Sequence, residues 1–241
     1  MNEFSFIHFA TSINDCDIPL PIKLATDVAF YTSLIPFEIK ACDMSGERLD
    51  VTVAFDSVDT GDGYYIALKT AVPVTDGTCF VLRIKETAES ETYHYSNALF
   101  YSTDTEFSLC EYYCNETQFG FEYGTSGATY PNKIRLPLRL HAVQYPQEEK
   151  IYVDGNGMRH LLTAKVDKDQ ELETEYLTDA IHEKIVVMLA HDIVKIEAIQ
   201  VAKSAGYEID HENEDELTCG TKIHKAKAKM IRNTTLKNTN C

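Results

Sequence analysis

The sequence predicts a mainly β protein: an N-terminal immunoglobulin-like β-sandwich followed by a β-sandwich or barrel domain that carries one α-helix. Three observations lead there. Short runs of β-branched and aromatic residues recur through the first part of the chain, with Gly- and Asp-containing turns between them. The tetrapeptide Asp154-Gly155-Asn156-Gly157 separates two more such runs, and its residue types tolerate the positive φ of a tight hairpin. Helical periodicity is legible once, over residues 178–191.

Residues 1–104 form the first expected unit. Its strand-like runs are 37–41, 51–55, 64–68, 80–84 and 93–101, punctuated by Ser45-Gly46, Gly61-Asp62-Gly63 and Asp76-Gly77. Pro19, Pro21 and Pro36 place the opening segment at an edge or in irregular structure. Residues 105–131 read as a junction, in which Phe119, Phe121 and Tyr123 at β-spacing predict one buried face. The second unit, 132–232, opens with 134–140, where Pro137 implies an edge or bulge and Arg135 and Arg139 share a face that can meet an acidic row. The 150–153 and 158–162 runs make the hairpin. In 166–176, Leu172, Thr174 and Tyr176 point one way, and Glu171, Glu173 and Glu175 the other. Thr178 is placed to cap the helix with its hydroxyl, and Ile181, Ile185, Met188 and Leu189 form its buried stripe. Strands are expected at 194–198 and 207–210, an acidic loop at 211–216, and a closing strand at 222–230 with Lys225, Lys227 and Lys229 opposite Ala226 and Ala228. Residues 233–241 read as a polar tail.

The chain of 241 residues has a formal charge of -16, which argues against a nucleic-acid-binding surface. All 38 acidic residues precede Leu217 and six of the 22 basic ones follow it, so the body is about -22 and the end +6. That polarity suits docking the basic end on an acidic face of another subunit. No run is long enough to span a bilayer and no basic leader precedes an apolar core, so neither secretion nor a membrane is expected. The seven cysteines are scattered, and Cys42 and Cys79 fall in strand-like runs; reduced thiols and small buried hydrophobes are expected.

Catalytic and metal signatures are not found in the sequence. His182-Glu183 begins like a zincin helix, but Val186 stands where the second histidine belongs. His191, nine positions on, falls on roughly the opposite side at about 100° per residue. Asp56, Asp59 and Asp62 lack the alternation and distal Glu of a calcium loop. No phosphate-binding Gly loop or nucleophile elbow is present. The expectation is no enzyme, cofactor or metal.

Several strings resemble structural proteins of tailed bacteriophages and prophages: Arg83 with Tyr95-Ser96-Asn97, Phe119-Gly120-Phe121-Glu122-Tyr123, Ile134-Arg135-Leu136-Pro137-Leu138, Leu172-Glu173-Thr174-Glu175-Tyr176, His182-Glu183 with His191-Asp192, and Asn240-Cys241. A β unit with one packed helix is similar to tail-tube, ring and distal-tail proteins. The resemblance implies a virion component of a tail, connector or baseplate, made in the host cytoplasm, that assembles into homo-oligomeric rings beside neighbouring virion proteins and lets DNA pass without binding it. On it, Glu171, Glu173 and Glu175 line a lumen or meet a neighbour's lysines, while Lys225, Lys227 and Lys229, with Arg135 and Arg139, belong to a subunit contact. A second reading makes the N-terminal sandwich a glycan- or surface-binding module through Tyr64, Tyr65, Tyr93 or Tyr95.

Overall fold

The computed structural model describes residues 5–13, 18–23, 25–69, 74–104, 106–114, 124–125, 128–166, 168–217 and 221–232. The protein is mainly β, and its sheets form a half-barrel. The larger sheet is antiparallel throughout. Its main path runs Leu138–Leu140, Asp169–Thr174, Lys222–Arg232, Ile199–Glu216, Ile193–Ile196, Ser108–Tyr113, Asn132–Leu136, Ala29–Thr32, Tyr64–Leu68 and Phe55–Asp59, with Leu177–Thr178 also pairing Lys222–Arg232. The smaller sheet orders Phe9–Ala10, His94–Ser96, Cys79–Lys85, Leu99–Tyr101 and Leu20–Ile22, with Glu38–Cys42 and Val51–Thr52 added beside Cys79–Lys85.

Alternation produces these elements. Ser108, Cys110 and Tyr112 are buried in one strand and Asn132, Ile134 and Leu136 in its partner, as period-two side chains require when one face meets the core. One continuous hydrophobic cluster then joins Phe6, Phe30, Ile66 and Leu82 from the first half to Ile134, Leu172, Ile185 and Met230 from the second. The boundary expected between 104 and 132 is therefore crossed by both a sheet and a core. Ser108–Tyr113, within the stretch read as a junction, is an interior strand of the larger sheet. The aromatic run 119–123, Cys16, Cys219, Cys241 and the tail 233–241 lie outside the described residues.

Other expectations hold or shift for physical reasons. Gly46, Gly61, Gly77 and Gly157 all have φ between 80° and 89°, so the four turn signals sit where only glycine is unstrained. The helix spans Asp179–Met188, shorter at both ends than 178–191. Thr178 is its N-cap, but its hydroxyl makes no capping bond, and Thr178 is instead paired with Ile223 in a strand ladder. Tyr176 lies beyond the acidic strand and is largely exposed, not buried with Leu172 and Thr174. Cys42, Cys110 and Cys114 are buried, whereas Cys79, at the first position of its strand, is exposed. The 211–216 segment expected as a loop is strand, part of the 18-residue Ile199–Glu216.

A shared core makes the two halves unfold together. Phe30→Ala and Leu136→Ala remove fully packed side chains from opposite halves, and each is expected to destabilise by about 2–5 kcal/mol while preserving a single transition. Urea unfolding followed by tyrosine fluorescence and far-UV circular dichroism checks this; separate transitions for the two halves would contradict it.

Candidate functional site

The charged rows singled out in the sequence come together on one face of the larger sheet. In Asp169–Thr174, the buried Gln170, Leu172 and Thr174 turn Glu171 and Glu173 outward, and Glu175 follows at the strand end. In Lys222–Arg232, buried Ala226, Ala228 and Met230 do the same for Lys225, Lys227 and Lys229. Register sets Glu171 opposite Lys229 and Glu173 opposite Lys227. On the other flank, Glu208 stands opposite Lys227, Asp210 opposite Lys225 and Glu216 opposite Lys222. A lysine strand thus lies between two acidic strands.

The ion pairs follow from that register. Lys225 Nζ is 2.9 Å from Glu175, Lys227 Nζ is 3.4 Å from Glu171 and 3.7 Å from Glu173, and Lys222 Nζ is 2.7 Å from Glu214. Lys225 also sits 5.0 Å from the Tyr176 ring centroid. His141 Nε2 lies 2.8 Å from Glu173; this hydrogen bond first, and then Lys227, lowers the Glu173 pKa. Among the described residues Lys229 has no ion pair within 4 Å. The lysine and glutamate rows, which the resemblance placed at a lumen or a subunit contact, pair with each other within one chain.

The arginines part company at Pro137. Proline has no N–H to donate and interrupts the run, so 132–136 and 138–140 become separate strands near the middle and at one edge of the sheet. Arg135 does not meet the acidic row: its Nε donates to Asp27 at 2.6 Å and its Nη1 to the Phe107 carbonyl at 2.8 Å. It ties the first half of the chain to the second. Arg139 does stand opposite Glu173, but forms no ion pair among the described residues.

Behind the lysine strand lies a polar contact that the sequence reading did not assign. His182 is fully buried; the Tyr207 hydroxyl donates to its Nδ1 at 2.7 Å, and its Nε2–H donates to the His224 carbonyl at 2.9 Å. The carbonyl fixes that tautomer. His224 stacks edge-on to His211 with centroids 4.8 Å apart, its Nε2 is 3.8 Å from Asp179, and its buried Nδ1 has no hydrogen-bond partner among the described residues. His191 Nδ1–H donates to the Val187 carbonyl at 2.7 Å, and its ring meets Tyr112. Desolvation lowers the pKa of both His182 and His191. The signal for His182 was its place three and seven residues before Ile185 and Leu189, on the buried stripe.

The tyrosines proposed for glycan contact pack against the protein. Tyr65 is buried between Tyr31 and Tyr130, each 5.2 Å away, and its hydroxyl donates to the Pro131 carbonyl. Tyr93 underlies the Arg83 guanidinium, Tyr95 lies against Gly46, and Tyr64 flanks the main core. The most exposed apolar surface is elsewhere. Among the described residues, strands Gln147–Val153 and Arg159–Val166 pair only with each other, forming an arm outside both sheets. Ile151, Tyr152 and Val153 are 48%, 55% and 53% exposed and Met158 is 63% exposed, so successive residues are open on both faces. Asp154 closes the tip by accepting hydrogen bonds from the Asn156 and Met158 N–H groups.

Two predictions follow from the charge ladder and the histidines. Lys227→Glu sets carboxylates opposite Glu173 and Glu208, and is expected to cost about 1–2 kcal/mol, less in high salt; chemical denaturation at two ionic strengths measures it, and a salt-independent loss would point to packing instead. His182 and His191 have folded pKa values below the unfolded one. Their contribution is complete above pH about 6.5 and is lost as pH falls through the lowered folded values. His182→Gln is expected to lower stability at neutral pH by about 1–3 kcal/mol and to flatten the decline below pH about 6.5, leaving the His191 share. Urea titrations across that range decide, and an unchanged slope would place the acid sensitivity elsewhere.

No protein-family model, no curated protein and no solved structure matches the chain, and its function is therefore read from the charge ladder and the arm themselves.

Proposed function

We propose that this protein is a non-enzymatic structural subunit that works by self-assembly, as a ring-forming component of a phage tail, connector or baseplate. The observation that carries the reading is the arm. Two strands alone are marginally stable in water, and this pair presents Ile151, Val153 and Met158 to solvent. Such a ribbon becomes stable when a further surface covers it. The open architecture supports the same reading: Leu138–Leu140 and Phe55–Asp59 are the two edges of the larger sheet's main path, each with a free hydrogen-bonding side among the described residues. Different surfaces at opposite ends suit head-to-tail contacts, which close into rings when the rotation permits.

Within this reading, the seven-stranded sheet packed on Ala29–Thr32 and Tyr64–Leu68 supports an immunoglobulin-like arrangement in the N-terminal half, continuous with the larger sheet. The virion location and neighbouring tail proteins rest on the sequence strings that resemble phage structural proteins. The packed positions of Tyr64, Tyr65, Tyr93 and Tyr95 favour a scaffold over a glycan platform in that half.

Size-exclusion chromatography with light scattering, followed by negative-stain imaging of the main peak, tests the reading. A defined oligomer with rotational symmetry is expected; a strict monomer at all accessible concentrations and salt levels would refute it.

A further inference from the structure

We propose that the arm pairs with the arm of a second copy of this chain, the four strands forming one sheet in which the apolar tip residues of the two copies pack beside one another. This rests on the self-assembly reading and names its contact. The first support is the free hydrogen-bonding edge on each arm strand: among the described residues, Gln147–Val153 and Arg159–Val166 have only each other as partners. An unpaired edge is a template for another strand, and three or more strands with an apolar face hold together where two do not.

The second support is charge. The whole chain carries -16, yet residues 145–166 balance Glu148, Glu149 and Asp154 against Lys150, Arg159 and Lys165, for a net charge of zero. The arm is thus a neutral segment on a strongly acidic protein. A strand of seven residues spans roughly 23 Å at about 3.3 Å per residue. Two arms overlapping near their tips hold the acidic bodies farther apart than the Debye length of about 8–10 Å in physiological salt. An arm docked on a neighbour's body would instead bring like charges within that distance. Neutral arm against neutral arm is the contact with least repulsion.

The charge ladder fixes the sign of the salt effect. Lys225 and Lys227 already pair with Glu171, Glu173 and Glu175 of their own chain. Below physiological salt the Debye length grows toward the separation of the bodies, so added salt screens the remaining repulsion more than it weakens any pairing between them, and association strengthens modestly as salt rises.

The test uses the full chain and its Ile151→Glu/Val153→Glu variant. Both side chains are exposed and outside the hydrophobic clusters, so an unchanged circular dichroism spectrum and melting temperature are expected. Light scattering across a concentration series is expected to show the variant dissociating at a concentration at least about tenfold higher than wild type, and wild-type association increasing between about 50 mM and 500 mM salt. A photoreactive benzoylphenylalanine at Val153, in mixed isotope-labelled and unlabelled chains, is expected to crosslink to residues 145–166 of the other copy. Wild-type-like assembly by the folded variant, crosslinks to the body, or assembly weakened by salt would overturn the arm pairing while leaving self-assembly standing. A wild type that stays monomeric under every condition would overturn self-assembly itself.

Discussion

The lysine strand Lys222–Arg232 is the constraint on which the larger sheet depends. Its neighbours on both sides carry carboxylates on the outward face, and its inward residues are Ala226, Ala228 and Met230. Because side chains alternate with period two, a one-residue slip would bury lysines and expose the core face while setting carboxylates against alanines. Exposed ion pairs contribute little to stability one by one. Their effect here is on register: Lys227 has Glu173 across one ladder and Glu208 across the other, and only one alignment satisfies both. The helix then closes over the inner side of this strand through His182, whose two ring nitrogens bind groups of both long strands.

The same ladder changes what the charge distribution means for assembly. A basic end and an acidic body look like complementary halves of a subunit contact. Once folded, Lys222–Arg232 is an internal strand, and Lys222, Lys225 and Lys227 are matched within the chain. Among the described residues, the exposed arm tip and the sheet edges are the features the self-assembly proposal then rests on.

How much could be read from the sequence depended on whether a signal was local. Asp154-Gly155-Asn156-Gly157 carries its own turn chemistry, and the hairpin formed where expected, with Gly157 at φ 80°. Tyr64–Leu68 was bounded correctly because turns and β-formers sit side by side. Ile199–Glu216 was legible only in part: Glu212, Glu214 and Glu216 have weak strand propensity, and their pairing is set by a strand that comes later in the chain. Ser108–Tyr113 alternated visibly but lay in a stretch with many Gly and Thr residues, and its place became clear only from partners at 132–136 and 193–196. The candidate rows of glutamate and lysine were found as rows; that they face each other is a matter of strand order, which no local pattern encodes.

The acidity itself has a structural origin in the turns. Asp43 accepts hydrogen bonds from the Ser45 and Glu47 N–H groups, Asp59 from Gly61, Asp76 from Thr103, Asp104 from Glu106, Asp154 from Asn156 and Met158, and Asp210 from Glu212. A chain with so many short strands has many turns, and each leaves amide groups that a short carboxylate satisfies well. For Asp43 the Ser45 hydroxyl, with backbone amides behind it, holds the carboxyl down at about 2, which marks a side chain engaged with its own loop. Other acidic residues, Glu171, Glu173, Glu175 and Glu214, are matched by lysines. Part of the negative charge therefore follows from the turns and ladders of an antiparallel β protein and names no ligand. On the proposed self-assembly reading, an arm of zero net charge with an exposed apolar tip is the exception on such a body, and copies would approach there.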